Sequence, residues 1–240
     1  MACEAPLPIG PPLHSSPLPS AVLDTLLLVH AAPVERRGLA ESLAGARIVE
    51  LGVGPARAAM NLTRALTLGP PPALVLAFGV CGVLPPFPLA VGDLCVVARD
   101  CLADEGVETE SGFLDLQALG LAEDTSFTAH ADATARAAAA LGAPSLAGAT
   151  VSTGSATDAR AHAIAARTGA AVETMEGAAI ALVCARFAVP WVQVRAVSNR
   201  CGDRARGAWD LDRALAALHG VLPAAVTAAA GAVADRPGPG

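Results

Sequence analysis

The sequence has no lysine: all sixteen basic residues are arginines, scattered without a cluster along 240 residues, and 22 acids leave a net charge of −6. Without lysine there is no Walker phosphate loop. Without a concentrated basic face nucleic acid is excluded as a partner, because such binding rests on neutralising many phosphates together. The cysteines at 3, 81, 95, 101, 184 and 201 form no Cys-x-x-Cys pair and have no histidine at ligand spacing, so no metal site is expected. No stretch of about 18 residues is both free of charge, Pro and Gly and rich in Leu, Ile, Val and Phe, so no membrane partner is expected. A Gly-x-Ser-x-Gly nucleophile elbow is also missing, and "STGSA" (152–156) does not supply one. The opening "MACEAPLPIGPPLHSSPLPS" lacks the basic flank and apolar segment of a signal peptide and the arginines of a transit peptide. Residues 1–20 read as a disordered Pro-rich extension and 235–240 as a flexible tail. Cysteines in apolar runs with no export signal fit a reducing cytoplasm.

What is present is apolar sequence in regular alternation. The hydrophobic fraction is 53%, with alanine supplying much of the excess. Strands are predicted at 22–30, 46–52, 73–80, 92–98, 148–153 and 191–198. Helices are predicted from Pro55, over 131–141, 157–167 and 175–187, and from Asp210, where Leu211, Leu215, Leu218 and Leu222 share one face. Strands alternating with Ala-rich helices define an α/β protein, and residues 21–234 read as one domain without repeats or linkers.

Two glycine turns and one helix start could carry chemistry. "GVGPAR" (52–57) begins like a dinucleotide fingerprint but has Arg57 where the third glycine belongs. "FGVCG" (78–82) closes a buried strand, and the carboxyl ends of strands are where open α/β sheets bind ligands. "VETMEGAAIALVCARFAVPWVQVRAVSN" (172–199) sets Met175 and Glu176 at a helix start and ends a strand on Ser198-Asn199. Glu176 could simply complement the helix dipole and Met175 fill the core. A carboxylate can also accept two hydrogen bonds from a vicinal diol, with a thioether beside it as apolar floor. His30, at a strand end, could line a cleft or sit satisfied in the core.

This last segment resembles the signature of the nucleoside phosphorylase and nucleosidase superfamily, and most of all its futalosine hydrolases, nucleosidases of menaquinone biosynthesis. The likeness runs from about residue 22 to 222 and includes "LADEGVETESGFLDLQALGL" and "SNRCGDRARGAWDLDRALAAL". It implies a three-layer α/β/α fold around a mixed, mostly parallel twisted sheet. It implies hydrolysis of a nucleoside's N-glycosidic bond, no cofactor, a small nucleoside as substrate, and a homo-oligomer. By position, Glu35 matches the glutamate that activates the attacking water. Met175 and Glu176 match the ribose-binding pair, Gly79, Val80, Cys81 and Gly82 the turn lining sugar and base, and Ser198 a further substrate contact. Asn199 stands where adenine-cleaving relatives carry Asp. An amide can donate to N7 and O6 of a 6-oxopurine, whereas a carboxylate would repel O6, so Asn199 points to a hypoxanthine-type base. Stacking on the base is left open among Phe78, Trp191 and Trp209, and contact with a 5′ benzoate among Arg195, Arg200, Arg204 and Arg206.

Two other readings compete. A phosphorylase needs cationic and hydroxyl donors for its phosphate, and the resemblance places them where Ala77 and Val80 stand. A non-catalytic nucleoside-binding protein would have no use for the water-activating acid at Glu35.

Overall fold

A computed structural model of the chain describes residues 23–39, 41–43, 45–203 and 209–234. The two predicted terminal extensions, together with Arg204 and Arg206, lie outside the described residues. Among the described residues ten strands run in the order β1 (Leu26–His30), β2 (Arg47–Glu50), β3 (Leu74–Val83), β4 (Leu94–Leu102), β5 (Gly106–Thr109), β6 (Gly112–Asp115), β7 (Ser126–Thr128), β8 (Ser145–Thr150), β9 (Val172–Thr174) and β10 (Trp191–Arg200). The helices are α1 (Pro33–Arg36), α2 (Pro55–Leu68), α3 (Ala131–Leu141), α4 (Asp158–Thr168), α5 (Gly177–Arg186) and α6 (Leu211–Ala234).

All strands except the β5–β6 hairpin join one sheet, with path β10-β4-β8-β9-β3-β1-β2 and β7 added beside β4. Because β10 also pairs with β3, the strands β3, β10, β4, β8 and β9 close on themselves. Five pairings are parallel (β1–β2, β1–β3, β3–β10, β4–β8, β8–β9) and three antiparallel (β3–β9, β4–β10, β4–β7). This is the mixed, mostly parallel sheet expected. One face packs on α2 and α5 around Leu62, Val75, Ile180 and Trp191, and the other on α3 and α6 around Leu76, Phe78, Val194 and Leu222. The result is three layers. β3 needs an uninterrupted apolar run because both of its faces are covered.

Local chemistry sets most boundaries. Thr157 caps α4 by accepting from Arg160 N–H, and Gly169, at φ +65°, ends the helix in a conformation that suits glycine. Two expectations shift. β3 runs on to Val83, so "GVCG" is the distal half of a strand and not a turn, held there by β10 on one side and β9 on the other. The helix at 175 begins at Gly177, leaving Met175 and Glu176 in the preceding bend. α6 is the helix, among the described residues, long and apolar enough to span a membrane, at mean hydropathy 1.6 over Leu211–Val233. Half of it is buried, with Leu218, Leu222, Ala225 and Val226 in the core, so its apolar face is spent on packing.

Candidate functional site

Parallel strands β1, β3 and β10 deliver their carboxyl ends to one cleft of about 680 Å³, where this class of sheet presents ligand-binding loops. Glu35, Val80, Cys81, Gly82, Met175, Glu176, Ser198 and Asn199 all line it. Gly79 lies under the floor, directly beneath Glu35.

Glu35 sits in α1, a single turn that opens on Pro33, and is buried although Arg36 and Arg37 follow it in the open. Its Oε2 accepts from the N–H groups of Ala31 (2.7 Å) and Ala32 (3.1 Å), and its Oε1 from Val80 N–H (3.0 Å). Its backbone carbonyl is bonded to His219 Nε2 of α6 at 2.7 Å. Three backbone donors on one carboxylate fix it in place. A Cβ on Gly79 would overlap Glu35 Oε1 and come within 2.6 Å of Arg195 Nη1, so acid and cation meet over this residue.

Glu176 occupies the N-cap position of α5 without capping it. Thr150 Oγ1 accepts from Ala178 N–H (2.7 Å) and Thr174 Oγ1 from Gly177 N–H (3.3 Å), which satisfies the helix start and frees the carboxylate. Glu176 turns instead toward Gly54, whose N–H donates to Oε1 at 2.9 Å. Gly54, at φ +99°, belongs to the "GVG" turn. Burial pushes the Glu176 carboxyl above its usual range. The charge of Arg195 and the Gly54 N–H pull it down, and neighbouring Glu35 pushes it up. Two buried acids and one buried guanidinium thus share the floor.

At the other end, a bulge in β10 after Val197 re-aims Ser198 and Asn199. The Ser198 hydroxyl lies 2.9 Å from Asn199 Oδ1 and 3.2 Å from the Cys81 carbonyl, both acceptors for its proton. With Oδ1 turned to Ser198, Nδ2 is the amide atom left for a ligand. Glu173, also on the lining, accepts from Ser155 N–H (2.8 Å) and from its hydroxyl, fixing the loop at 154–156 as the adjoining wall.

Among the aromatic candidates only Trp209 lines the cleft, more than half exposed. Phe78 and Trp191 are buried on opposite faces of the sheet and cannot reach it. His30 is buried too, its Nδ1 2.9 Å from the Ala32 carbonyl and its ring tilted against Phe78 at 5.4 Å. Arg195 is buried beneath the floor and bonded to Gln193, so it does not stand free at a 5′ pocket. Arg200 reaches the lining, though its guanidinium is bonded to the carbonyls of Phe87 and Leu89. Sequence reasoning did not name Gly54 or Glu173 as parts of the site and left Arg195 open as one of four candidates for the 5′ end. Gln193 and Arg195, alternating within an apolar strand, were the available signal for a polar stripe on one face. Among the described residues no group of three or more His, Cys, Asp or Glu could hold a metal ion.

The sequence profile of the phosphorylase superfamily matches residues 43–235. The chain is 41% identical over 176 residues to the futalosine hydrolase of Streptomyces coelicolor, covering 71% of this chain and 74% of that one. It is 35% identical over 173 residues to the futalosine hydrolase of Thermus thermophilus, covering 71% and 76%. A methylthioadenosine/S-adenosylhomocysteine nucleosidase from Colwellia psychrerythraea, solved with adenine, superposes with a TM-score of 0.69 at 20% identity, covering 84% of this chain and 94% of that one. The futalosine hydrolase of Helicobacter pylori superposes with 0.69 at 18% identity, covering 84% and 97%. The chain belongs to the phosphorylase superfamily and, within it, to the futalosine hydrolases. It is a hydrolase of N-glycosidic bonds.

Proposed function

We propose that the enzyme cleaves futalosine to hypoxanthine and dehypoxanthine futalosine, a step of menaquinone biosynthesis, with water as the nucleophile. The observation that carries this reading is the placement of Glu35 and Arg195 Nη1 over Gly79, at one end of a cleft whose other end presents the Asn199 amide. A water between Glu35 Oε1 and Arg195 Nη1 lies under C1′ of a ribose whose 2′ and 3′ hydroxyls face Glu176 and whose lower side rests on Met175. As the bond from C1′ to N9 breaks, positive charge develops on the sugar. The Glu176 carboxylate stabilises it, and Glu35 takes a proton from the water forming the new C1′–O bond, a general-base contribution of roughly 10²–10⁴ in rate. The electron pair of the broken bond leaves with the base. Asn199 Nδ2 donates to N7 or O6, and the base takes its proton from solvent, since an amide has none to give at neutral pH.

Phosphate is poorly provided for at the same place. Ala77 is buried in the core, and Val80 offers its N–H to Glu35 and no hydroxyl to the cleft. Trp209 stacks on the base. The enzyme works in the cytoplasm as a homo-oligomer, a second copy covering the exposed Val53 on the cleft lining and the exposed Met60 of α2 and completing the 5′ pocket. Comparing wild type with Glu35→Gln tests the chemistry: hypoxanthine release falls about a hundredfold or more while futalosine still binds. Unchanged turnover, or loss of binding alone, would remove Glu35 from the reaction.

A further inference from the structure

The guanidinium beneath the cleft has an anchor that the proposed mechanism does not use. Asp100, midway along β4, is wholly buried and lies under the start of α5. Its Oδ1 accepts from Thr150 Oγ1 at 3.0 Å and its Oδ2 from Gln193 Nε2 at 2.8 Å. Gln193 Oε1 in turn accepts from Arg195 Nε at 2.8 Å and Nη2 at 2.5 Å. The amide has one orientation open to it, oxygen toward the guanidinium and nitrogen toward the carboxylate. A continuous polar chain therefore runs from Asp100 to Arg195 Nη1, which points to the Val80 carbonyl at 3.4 Å beside Glu35.

Three features set this chain apart from ordinary core polarity. Among the described residues no carboxylate forms a direct ion pair with Arg195, and Asp100 is one of the acids whose charge it meets, here through one intervening amide, as Glu176 is on the cleft side. Burying an acid and a base without direct contact is costly unless the polar groups between them are fully bonded, and here they are. The space is made by Gly177, where a Cβ would lie 2.5 Å from Gln193 Oε1 and 2.7 Å from its Nε2. A role in capping α5 does not account for the pair, because Thr150 and Thr174 already satisfy that helix start.

We infer that Asp100 is a positioning residue for hydrolysis: through Gln193 it fixes the Arg195 guanidinium beside Glu35 at the water site. The inference rests on the hydrolytic reading above, and wild-type turnover of futalosine is the control that tests that reading separately. Asp100→Asn removes the charge and keeps one of the two acceptor oxygens, its amide nitrogen standing where the other accepts from Gln193 or Thr150. Its kcat falls about tenfold or more while KM stays within about threefold, because substrate contacts are untouched and only the water's partner is loosened. The exchange variant Asp100→Asn with Gln193→Glu moves the carboxylate one place along the chain. The new carboxylate then accepts from Arg195, and the new amide donates to it while still accepting from Thr150. This variant recovers kcat to within about threefold of wild type. A residue with only a structural role would alter the melting temperature of Asp100→Asn and leave kcat in place. Wild-type turnover by Asp100→Asn, or no recovery in the exchange variant, would overturn the inference. Should Asp100→Asn fail to fold, the exchange variant decides alone: near-wild-type kcat supports the assignment and its loss refutes it.

Discussion

Replacing Gly79 with alanine probes the water site without touching any group that meets the substrate. The new Cβ would stand 2.9 Å from Glu35 Cδ and 2.6 Å from Arg195 Nη1. Carbon atoms in contact need about 3.5–4.0 Å, so the carboxylate has to retreat by roughly 0.6–1 Å. Retreat is resisted, because Glu35 is held by the N–H groups of Ala31, Ala32 and Val80. The 3.0 Å bond to Val80 is the one that gives way, since it joins the strand carrying the new methyl group. A misplacement near 1 Å at a reacting group is worth about 10² in rate. Steady-state release of hypoxanthine from futalosine should therefore show kcat down about a hundredfold, with KM changed little because Glu176 and Asn199 are undisturbed. In a Glu35→Gln background the same alanine should have almost no further effect, since both changes disable one step. Full activity of Gly79→Ala, or losses that multiply in the double variant, would refute the geometry assigned to Glu35.

Other consequences follow from the same site. Asn199→Asp removes the donor aimed at the base and sets a carboxylate against O6. Its kcat/KM on futalosine should fall by about 1–3 kcal/mol, roughly 5- to 150-fold, while the ratio for the 6-amino analogue rises; parallel losses on both substrates would deny Asn199 a part in selection. Burial raises the Glu176 carboxyl, so the acid limb of kcat/KM should lie above the ordinary glutamate range and vanish in Glu176→Gln, whose residual activity should be flat there. Asp100, pushed by burial up to about 6 against the pull of Gln193, Thr150 and Arg195, stays protonated in the native state where the unfolded chain has already ionised. Its favourable contribution is full below about pH 4 and is lost as pH rises through about 6, a change of ~3 kcal/mol. Urea unfolding at both ends of that window should show this loss in wild type and not in Asp100→Asn; identical pH dependence would contradict it.

The sheet and its helices were legible because their signals are local. β3 is an unbroken apolar run, β10 is apolar from Trp191 to Val197 save for Gln193 and Arg195, and α3 and α4 end on Gly142 and Gly169. The short strands β7 and β9 were not, since each holds three residues and exists only because β4, β3 and β8 offer edges to pair with. Glu35 and Glu176 illustrate the limit at the site. Four residues of helix flanked by two arginines look like a solvated acid, and an acid at a helix start looks like a cap. What distinguishes Glu176 is a bond to Gly54, 122 residues earlier in the chain, and a pair of threonines that take over its capping duty. Only the superfamily likeness carried that information, because periodicity and composition do not encode contacts between distant turns. The place of Arg195 was hidden for the complementary reason: its charge was visible, but its burial under the floor depends on Gln193 and Asp100 together.

Release of hypoxanthine from futalosine in phosphate-free buffer, followed by chromatography and repeated with rising phosphate, tests the central claim most directly. The account predicts rapid release whose rate does not depend on phosphate, with inosine and methylthioadenosine turned over far more slowly. Release that requires phosphate and yields a ribose 1-phosphate would contradict it, and would mean that the anion is bound despite Ala77 and Val80.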